Sequence, residues 1–211
     1  MGAIYLFREY DTIKDMKIAL SKCTYCVYGL HSKKVGGIGS PTASLMVVGQ
    51  NPGPKEVGTG IPFSSVSGAL LKDIISKVGI PMENCYLTNV IKCKPIVEEK
   101  IATVPVKCCK PWLDIEVDIV APRLIVALGQ VASDAVLGTN SPVGKVLQSR
   151  FGIPGIGTYH TAYIQRLKNS GTSDYALNKY RTIKKEVYEH WKLVASIIGV
   201  ESVLEEGDDS E

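Results

Sequence analysis

Short apolar segments alternate with amphipathic ones along this chain, and this alternation constrains the fold more than any other feature. Four segments are compact and apolar, as strands are: 44–49, 85–92, 124–129 and 155–163. Four others carry apolar side chains at helical spacing: 65–78, 106–120, 130–138 and 174–198. Strands that alternate with helices form a sheet covered on both faces. The sequence therefore predicts an α/β fold with a central, mostly parallel four-stranded sheet.

Length and composition indicate one globular domain. The chain has 211 residues, of which 45% are hydrophobic and 21% charged, and this is ordinary for a single folded core. We expect the domain to span residues 1–200 and the acidic tail, 201–211, to be disordered. No apolar stretch is long enough to cross a bilayer and no secretory signal is readable, so we expect a cytoplasmic monomer without membrane contact.

The charge distribution favours a polyanionic partner. The net charge is +3, but six of the 21 acidic residues lie in the last eleven, so the first 200 residues carry about +9. A body this basic suits DNA, because neutralised phosphates release counterions. General solubility explains the same charge equally well. The candidate phosphate contacts are Arg166, Lys94 and Lys110, followed by Lys33, Lys34, Lys92 and Lys107.

The spacing of the six cysteines indicates a metal site. Cys23 and Cys26 form a C-x2-C pair, Cys93 lies in KCKP and Cys109 in CCKPW. In a cytoplasmic chain such cysteines are typical of metal binding, catalysis or inert packing rather than of disulfides. From spacing alone, zinc held by four thiolates is as good an occupant as an iron–sulfur cluster.

Polar side chains follow three of the predicted strands. Asn51, Glu56 and Phe63 lie in the loop after the first strand, Asn89 ends the second and His160 the fourth. In open parallel sheets, functional groups gather where strands end. We therefore expect these three segments to converge on one crevice.

Four ordered motifs resemble family 4 of the uracil-DNA glycosylase superfamily, its iron–sulfur-containing branch. That family has G-E-[AG]-P-G-x-x-E-D-x-x-G-x-P-F, T-N-x-x-K-C-[RK]-P, C-[RK]-P-x-L and H-P-A-x-x-x-R. This chain has GQNPGPKEVGTGIPF (49–63), TNVIKCKP (88–95), CKPWL (109–113) and HTAYIQR (160–166). The resemblance implies a three-layer α/β/α sandwich. It also implies a structural [4Fe–4S] cluster on Cys23, Cys26, Cys93 and Cys109, with zinc as the alternative.

The resemblance further implies hydrolysis of the N-glycosidic bond of uracil in DNA, which starts base-excision repair and leaves an abasic site. A base inside a duplex must be flipped out to react, whereas a single strand can present it directly. Phe63 would stack on the uracil ring, and Asn89 would bond its N3–H and O4. His160 would donate a hydrogen bond to O2 as the base leaves.

Several positions depart from the family pattern. Gln50 replaces a Glu and is expected to be substrate-binding, Asn51 replaces a small residue, and Val57 replaces an Asp. Either Glu56 acts as general base or Asn51 positions the attacking water, since a carboxylate accepts a proton and an amide does not. Ser64 and Ser65 replace Val-Gly at the expected pocket border. Thr161 replaces a Pro, and we expect it to loosen the loop that carries His160.

These departures leave two other functions open. One is a catalytically weak or inactive iron–sulfur DNA-binding accessory protein of replication. The other is a glycosylase for another deaminated or modified base, such as hypoxanthine or a 5-substituted uracil. Release of uracil from an oligonucleotide separates uracil hydrolysis from these two, and the accessory protein would release no base from any modified substrate.

Overall fold

A computed structural model describes residues 10–94, 103–171 and 173–200 of the chain. The acidic tail predicted at 201–211 lies outside these ranges. No helix within them is both long and apolar enough to cross a membrane.

The described residues form one six-stranded sheet in the order β1-β3-β2-β4-β6-β5. Strands β2, β3, β4 and β6 run parallel, while β1 and β5 pair antiparallel at the two edges. The strands are β1 (Ile38–Gly39), β2 (Leu45–Gly49), β3 (Cys85–Asn89), β4 (Leu124–Leu128), β5 (Val146–Gln148) and β6 (Pro154–Thr158).

Eight α-helices and one 3-10 turn (Met82–Asn84) surround the sheet in the described ranges. The helices are α1 (Ile13–Ser21), α2 (Val27–His31), α3 (Pro54–Thr59), α4 (Val66–Lys77), α5 (Thr103–Val120), α6 (Gln130–Val136), α7 (Thr161–Lys168) and α8 (Asp174–Ile198). Helix α8 begins and ends at the predicted residues, because both ends are capped: the Ser173 side chain accepts the Ala176 N–H at the N-terminus, and Gly199 adopts the left-handed conformation at the C-terminus.

Alternate side chains of the buried strands enter two separate cores. Leu45, Val47 and Val126 join a core completed by α4, α7 and α8. Met46 and Ile125 face the opposite way, into a core completed by α5 and α6. A strand's period of two sends neighbours to opposite faces, so a sheet buried on both sides must be apolar throughout. The α/β fold and the three-layer arrangement are confirmed.

The sheet differs from the prediction in strand number and in two strand ends. The four predicted strands are the four parallel ones, and the short edge strands β1 and β5 are additional. β3 ends at Asn89 rather than at residue 92, because Val90 and Ile91 donate their N–H groups to the carbonyls of Gly49 and Gln50. β6 ends at Thr158, and residues 161–163 already belong to α7.

The strand order brings the predicted site residues to one edge of the sheet. β2 lies between β3 and β4, so the chain leaves β2 toward one neighbour and later returns on its other side. The carboxyl ends of β2, β3 and β6 therefore open on the same side, which is where such folds form their crevice.

Candidate functional site

A pocket of about 260 Å³ lies at the carboxyl ends of the parallel strands. It contains five of the residues that sequence analysis placed in the site: Asn51, Glu56, Phe63, Asn89 and His160. It is also lined by Gly53, Pro54, Lys55, Ser65, Ser67 and Ala162. The expected convergence of three strand ends on one crevice is therefore observed.

Phe63 and the carboxamide of Asn89 meet over Gly49, the last residue of β2. A Cβ atom at Gly49 would lie 2.4 Å from Asn89 Oδ1 and 2.8 Å from Phe63 Cζ, so only glycine fits there. Phe63 is buried and has a φ of 54°, a left-handed conformation that is rare for an aromatic residue. Backbone strain of this kind persists where the surroundings hold it and is frequent at ligand sites.

His160 is fixed as one tautomer by the helix that it caps. Its Nδ1 accepts a hydrogen bond from the Ala162 N–H at 3.1 Å, at the start of α7. In a neutral imidazole the proton then lies on Nε2. Burial lowers the pKa of His160 from its ordinary 6.5, the positive charge of Arg166 lowers it further, and Glu56 opposes both. At neutral pH the ring is thus uncharged, with Nε2–H available as a donor.

Thr161 anchors the start of α7, contrary to the expectation that it loosens this loop. Its side chain is buried and its hydroxyl donates to the carbonyl of Ser67 at 2.8 Å. This bond joins α7 to the first turn of α4. The sequence shows only that proline's fixed φ is lost; the compensating hydrogen bond depends on a contact between residues 94 positions apart.

Glu56 and Asn51 both face the pocket, but they are held differently. Glu56 is 6% exposed, and its Oε2 accepts the N–H of Gly53 at 3.0 Å at the start of α3. Asn51 donates its Nδ2 to the carbonyl of Pro52 at 3.0 Å. The carboxylate keeps Oε1 for another partner, and the amide keeps its oxygen as an acceptor.

Other pocket-border residues differ from the sequence prediction in part. Ser65 lines the pocket and its hydroxyl lies 3.1 Å from that of Ser67, whereas Ser64 bonds Thr59 outside it. Gln50 is not among the described residues that line the pocket, and its carbonyl accepts the Ile91 N–H. Its substrate-binding role stays a prediction.

Sequence analysis missed Lys55 and Ser67. Lys55 is exposed at the pocket, and its position directly before Glu56 could have pointed to it. Ser67 follows Ser65 by two residues at a helix start, so both can face the same opening, but nothing in the sequence marks it as a site residue.

The candidate phosphate contacts have different environments. Arg166 and Lys94 are exposed, and Lys110 is exposed but paired with Asp114 at 3.2 Å. The interpretation of Lys92 as a surface cation is wrong, because its side chain is fully buried in an ion pair with Glu116. Lys34 donates to the carbonyl of Gly29, which restricts its reach.

The four predicted cysteine ligands come from three parts of the chain and influence one another electrostatically. Cys23, Cys93 and Cys109 are buried, and Cys26 is partly exposed. Burial first, and then the neighbouring thiols, raise the pKa of Cys93 to about 12; Cys109 is raised to about 11, mainly by burial. Two N–H groups face the sulfurs: Trp112 Nε1 lies 3.2 Å from Cys23 Sγ, and the Lys92 backbone bonds Cys109.

This donor set fits a thiolate-bound cluster. Iron–sulfur clusters are held by cysteine thiolates whose sulfurs accept hydrogen bonds, and here N–H groups face two of the four sulfurs, those of Cys23 and Cys109. Within residues 10–94, 103–171 and 173–200, however, no three His, Cys, Asp or Glu side chains are arranged as a site for a metal ion. Cluster binding therefore stays a proposal.

Comparison with known proteins places the chain in a family. The sequence model of the uracil DNA glycosylase superfamily matches residues 37–191. A type-4 uracil-DNA glycosylase of Archaeoglobus fulgidus is 30% identical over 182 residues, which cover 78% of this chain and 90% of that protein. One of Thermotoga maritima is 32% identical over 171 residues, or 78% of this chain and 89% of that protein.

A third type-4 uracil-DNA glycosylase, of Sulfurisphaera tokodaii, is 33% identical over 122 residues. This match covers 57% of the chain and only 56% of the relative's length. The family match spans every strand from β1 to β6 and all five predicted pocket residues. The chain therefore belongs to the uracil-DNA glycosylase superfamily and, within it, to the type-4 uracil-DNA glycosylases.

Proposed function

We propose that this protein removes uracil from DNA by hydrolysing the bond between N1 of the base and C1′ of the sugar. The observation that carries the proposal is the convergence of Asn51, Glu56, Phe63, Asn89 and His160 on one pocket. At about 260 Å³ the pocket is smaller than the roughly 300–1,000 Å³ of drug-sized sites, which suits a single base. A paired base cannot enter it without leaving the helix stack, so we propose base flipping.

Phe63 and Asn89 supply recognition. The Phe63 ring stacks on the base, a contact worth roughly 1–3 kcal/mol. The Asn89 carboxamide accepts from N3–H and donates to O4 of uracil. Cytosine presents the reverse pattern, an acceptor at N3 and a donor at N4, so it leaves the amide unpaired.

His160 and Glu56 supply catalysis. As the N1–C1′ bond breaks, the base leaves as an anion, and the neutral His160 donates Nε2–H to O2. Glu56 accepts a proton from the water whose oxygen bonds to C1′. Asn51 orients that water through its free amide oxygen. Because His160 donates a hydrogen bond rather than a proton, its low pKa favours the reaction.

The four cysteines Cys23, Cys26, Cys93 and Cys109 would hold a [4Fe–4S] cluster, which supplies a structural crosslink between the N-terminal helices, the end of β3 and α5. Zinc is the alternative occupant. No step of the reaction needs either. Arg166, Lys94 and Lys110 are proposed to contact DNA phosphates around the pocket.

The test is release of uracil from a single-stranded oligonucleotide by anaerobically purified protein, with alkaline cleavage to report the abasic site. We expect cleavage with the wild type and none with Asn89→Ala or His160→Ala, both of which should still bind DNA. Wild-type release by both variants would show that the site is wrongly assigned. No release by the intact wild type would favour another base or a non-catalytic DNA-binding role.

A further inference from the structure

A fully buried ion pair lies directly behind Asn89. Lys92 Nζ is 2.5 Å from Glu116 Oε2, and both side chains are 0% exposed. The same ammonium donates to the backbone carbonyl of Asn89 at 2.7 Å and to the hydroxyl of Thr88 at 2.8 Å. All three ammonium protons therefore have an acceptor, and one of these acceptors is the main chain of the base-reading residue.

The carboxylate of Glu116 is equally well satisfied. It accepts the hydroxyl of Thr88 at 2.6 Å, the N–H of Gly37 at 2.8 Å and the hydroxyl of Tyr86 at 3.2 Å. Burying two charges is costly, and apolar side chains of similar size often stabilise a core as well. Stability alone therefore does not explain why a charged pair stands at this point.

The position of the pair offers an explanation. Among the described residues, none forms a hydrogen bond with the Asn89 carboxamide, whose orientation then depends on its backbone and its packing. Beyond Asn89, Val90 and Ile91 donate their N–H groups to the carbonyls of the residues that end and follow β2. Lys92 holds the backbone carbonyl of Asn89 itself.

We propose that Lys92 is a positioning residue that aims the Asn89 carboxamide at the Watson–Crick edge of the base. The inference rests on the proposed recognition of uracil by Asn89. Because Lys92 touches no substrate, its contribution should appear in discrimination between uracil and cytosine more than in overall DNA binding. A misplacement of about 1 Å in a positioned group can cost on the order of 100-fold in rate.

The experiment compares Lys92→Met/Glu116→Gln with Tyr86→Phe. In the double variant the glutamine oxygen can still accept from Gly37 and Tyr86, and its NH2 can donate to Thr88, but the ammonium that bonds Asn89 is gone. Tyr86→Phe removes one hydrogen bond from the same buried network and keeps that ammonium paired with Glu116. Two quantities are measured: kcat/KM for uracil release, and the affinity ratio for oligonucleotides carrying 2′-fluoro-2′-deoxyuridine or 2′-fluoro-2′-deoxycytidine, whose fluorine blocks cleavage.

We expect Tyr86→Phe to stay within about threefold of the wild type in both quantities, because it removes one hydrogen bond and leaves the ion pair intact. The double variant should lose about 10- to 100-fold in kcat/KM and at least about tenfold in the uracil-to-cytosine ratio. Thermal unfolding and visible absorbance confirm that each variant is folded and loaded. If the double variant does not fold, Lys92→Met/Glu116→Leu, which replaces the pair by apolar side chains, carries the same expectation.

A folded double variant that matches Tyr86→Phe in kcat/KM and in the affinity ratio would overturn the role of Lys92. Absence of release by the wild type would instead contradict the proposed function. The affinity ratio needs no catalysis, so the two failures are distinguishable.

Discussion

His160 and Glu56 were both predicted from their motifs. The tautomer and the charge of His160, however, follow from contacts that no motif contains. The tautomer of His160 is set by the N–H of Ala162, and its charge state by burial and by Arg166. The role of Lys92 could not be predicted. A lysine shortly after a strand is most simply a surface residue until Glu116, 24 positions away, is placed beside it.

The protonation of His160 provides a first prediction. Burial and the Arg166 charge both disfavour the imidazolium, so its pKa lies below the ordinary 6.5 and the ring is neutral at pH 7. Arg166→Gln removes one of these causes and should therefore raise the titration midpoint of the His160 imidazole. Histidine NMR titration measures it, with His160→Gln for assignment. His190, whose pKa is also lowered by burial, is the internal control and should not move. An unchanged His160 midpoint would exclude this influence.

The division of work between Glu56 and Asn51 provides a second prediction. Glu56→Gln keeps an oxygen that can accept the Gly53 N–H but cannot take a proton. With enzyme in saturating excess over DNA, the rate constant for uracil release in a single turnover should fall by about 10²- to 10⁴-fold, the usual contribution of a general base. Asn51→Ala should lower the rate of release less, because the carboxylate of Glu56 remains to accept the proton. The reverse order of effects would identify Asn51 as the residue that handles the water.

At the scale of elements, the buried parts of the fold were predictable and the edges were not. β2 and β4 are apolar and buried at every position because both faces of the sheet are covered, and β3 and β6 carry polar side chains only toward their carboxyl ends. β1 and β5 have two and three residues and form only by pairing with β3 and β6, so no local pattern marks them. Helix α7 was missed because its first residues continue the apolar run of β6.

The approach of α4 to the loop that carries Phe63 provides a third prediction. A Cβ atom at Gly68 would lie 2.1 Å from the Phe63 carbonyl oxygen, so Gly68→Ala must displace the helix or the loop. We expect a raised KM for uracil release and a loss of stability. Gly58→Ala is the matched control, since α3 leaves nothing within 4 Å of its added methyl group. Equal KM values for the two variants would show that the loop adapts without loss of stacking.

At the scale of the molecule, the proposed cluster joins the N-terminal helices to the sheet. Cys23 lies in a small core with Met16, Leu20 and Trp112, between α1 and α5. Cys93 follows β3, so the four thiols would connect the N-terminal helices, the end of β3 and α5. The family motifs predict four cysteines as ligands, which stays a prediction, but they do not point to the N–H groups of Trp112 and Lys92 that face two of the sulfurs.

Cysteine substitution provides a fourth prediction. Cys109→Ala should remove the visible absorbance and lower the melting temperature by more than about 5 °C, because a crosslink between segments is lost. Cys108→Ala is the control and should keep both, since Cys108 is only partly buried and Cys109 is the residue that influences Cys93. Loss of absorbance in Cys108→Ala with retention in Cys109→Ala would reverse the assignment.

The basic body of the chain and Lys55 combine in the last prediction. Lys55 is exposed beside Glu56 at the pocket, and we expect it to contact the phosphates that flank a base bound there. Lys55→Gln should therefore weaken binding to DNA of any sequence and make the slope of log K against log salt shallower by about one. Lys77→Gln is the matched control: Lys77 is exposed and paired with Asp73 at the far end of α4, whose first turn borders the pocket. Equal slopes for the two variants would place the phosphates elsewhere and leave Arg166 and Lys94 as the contacts to test.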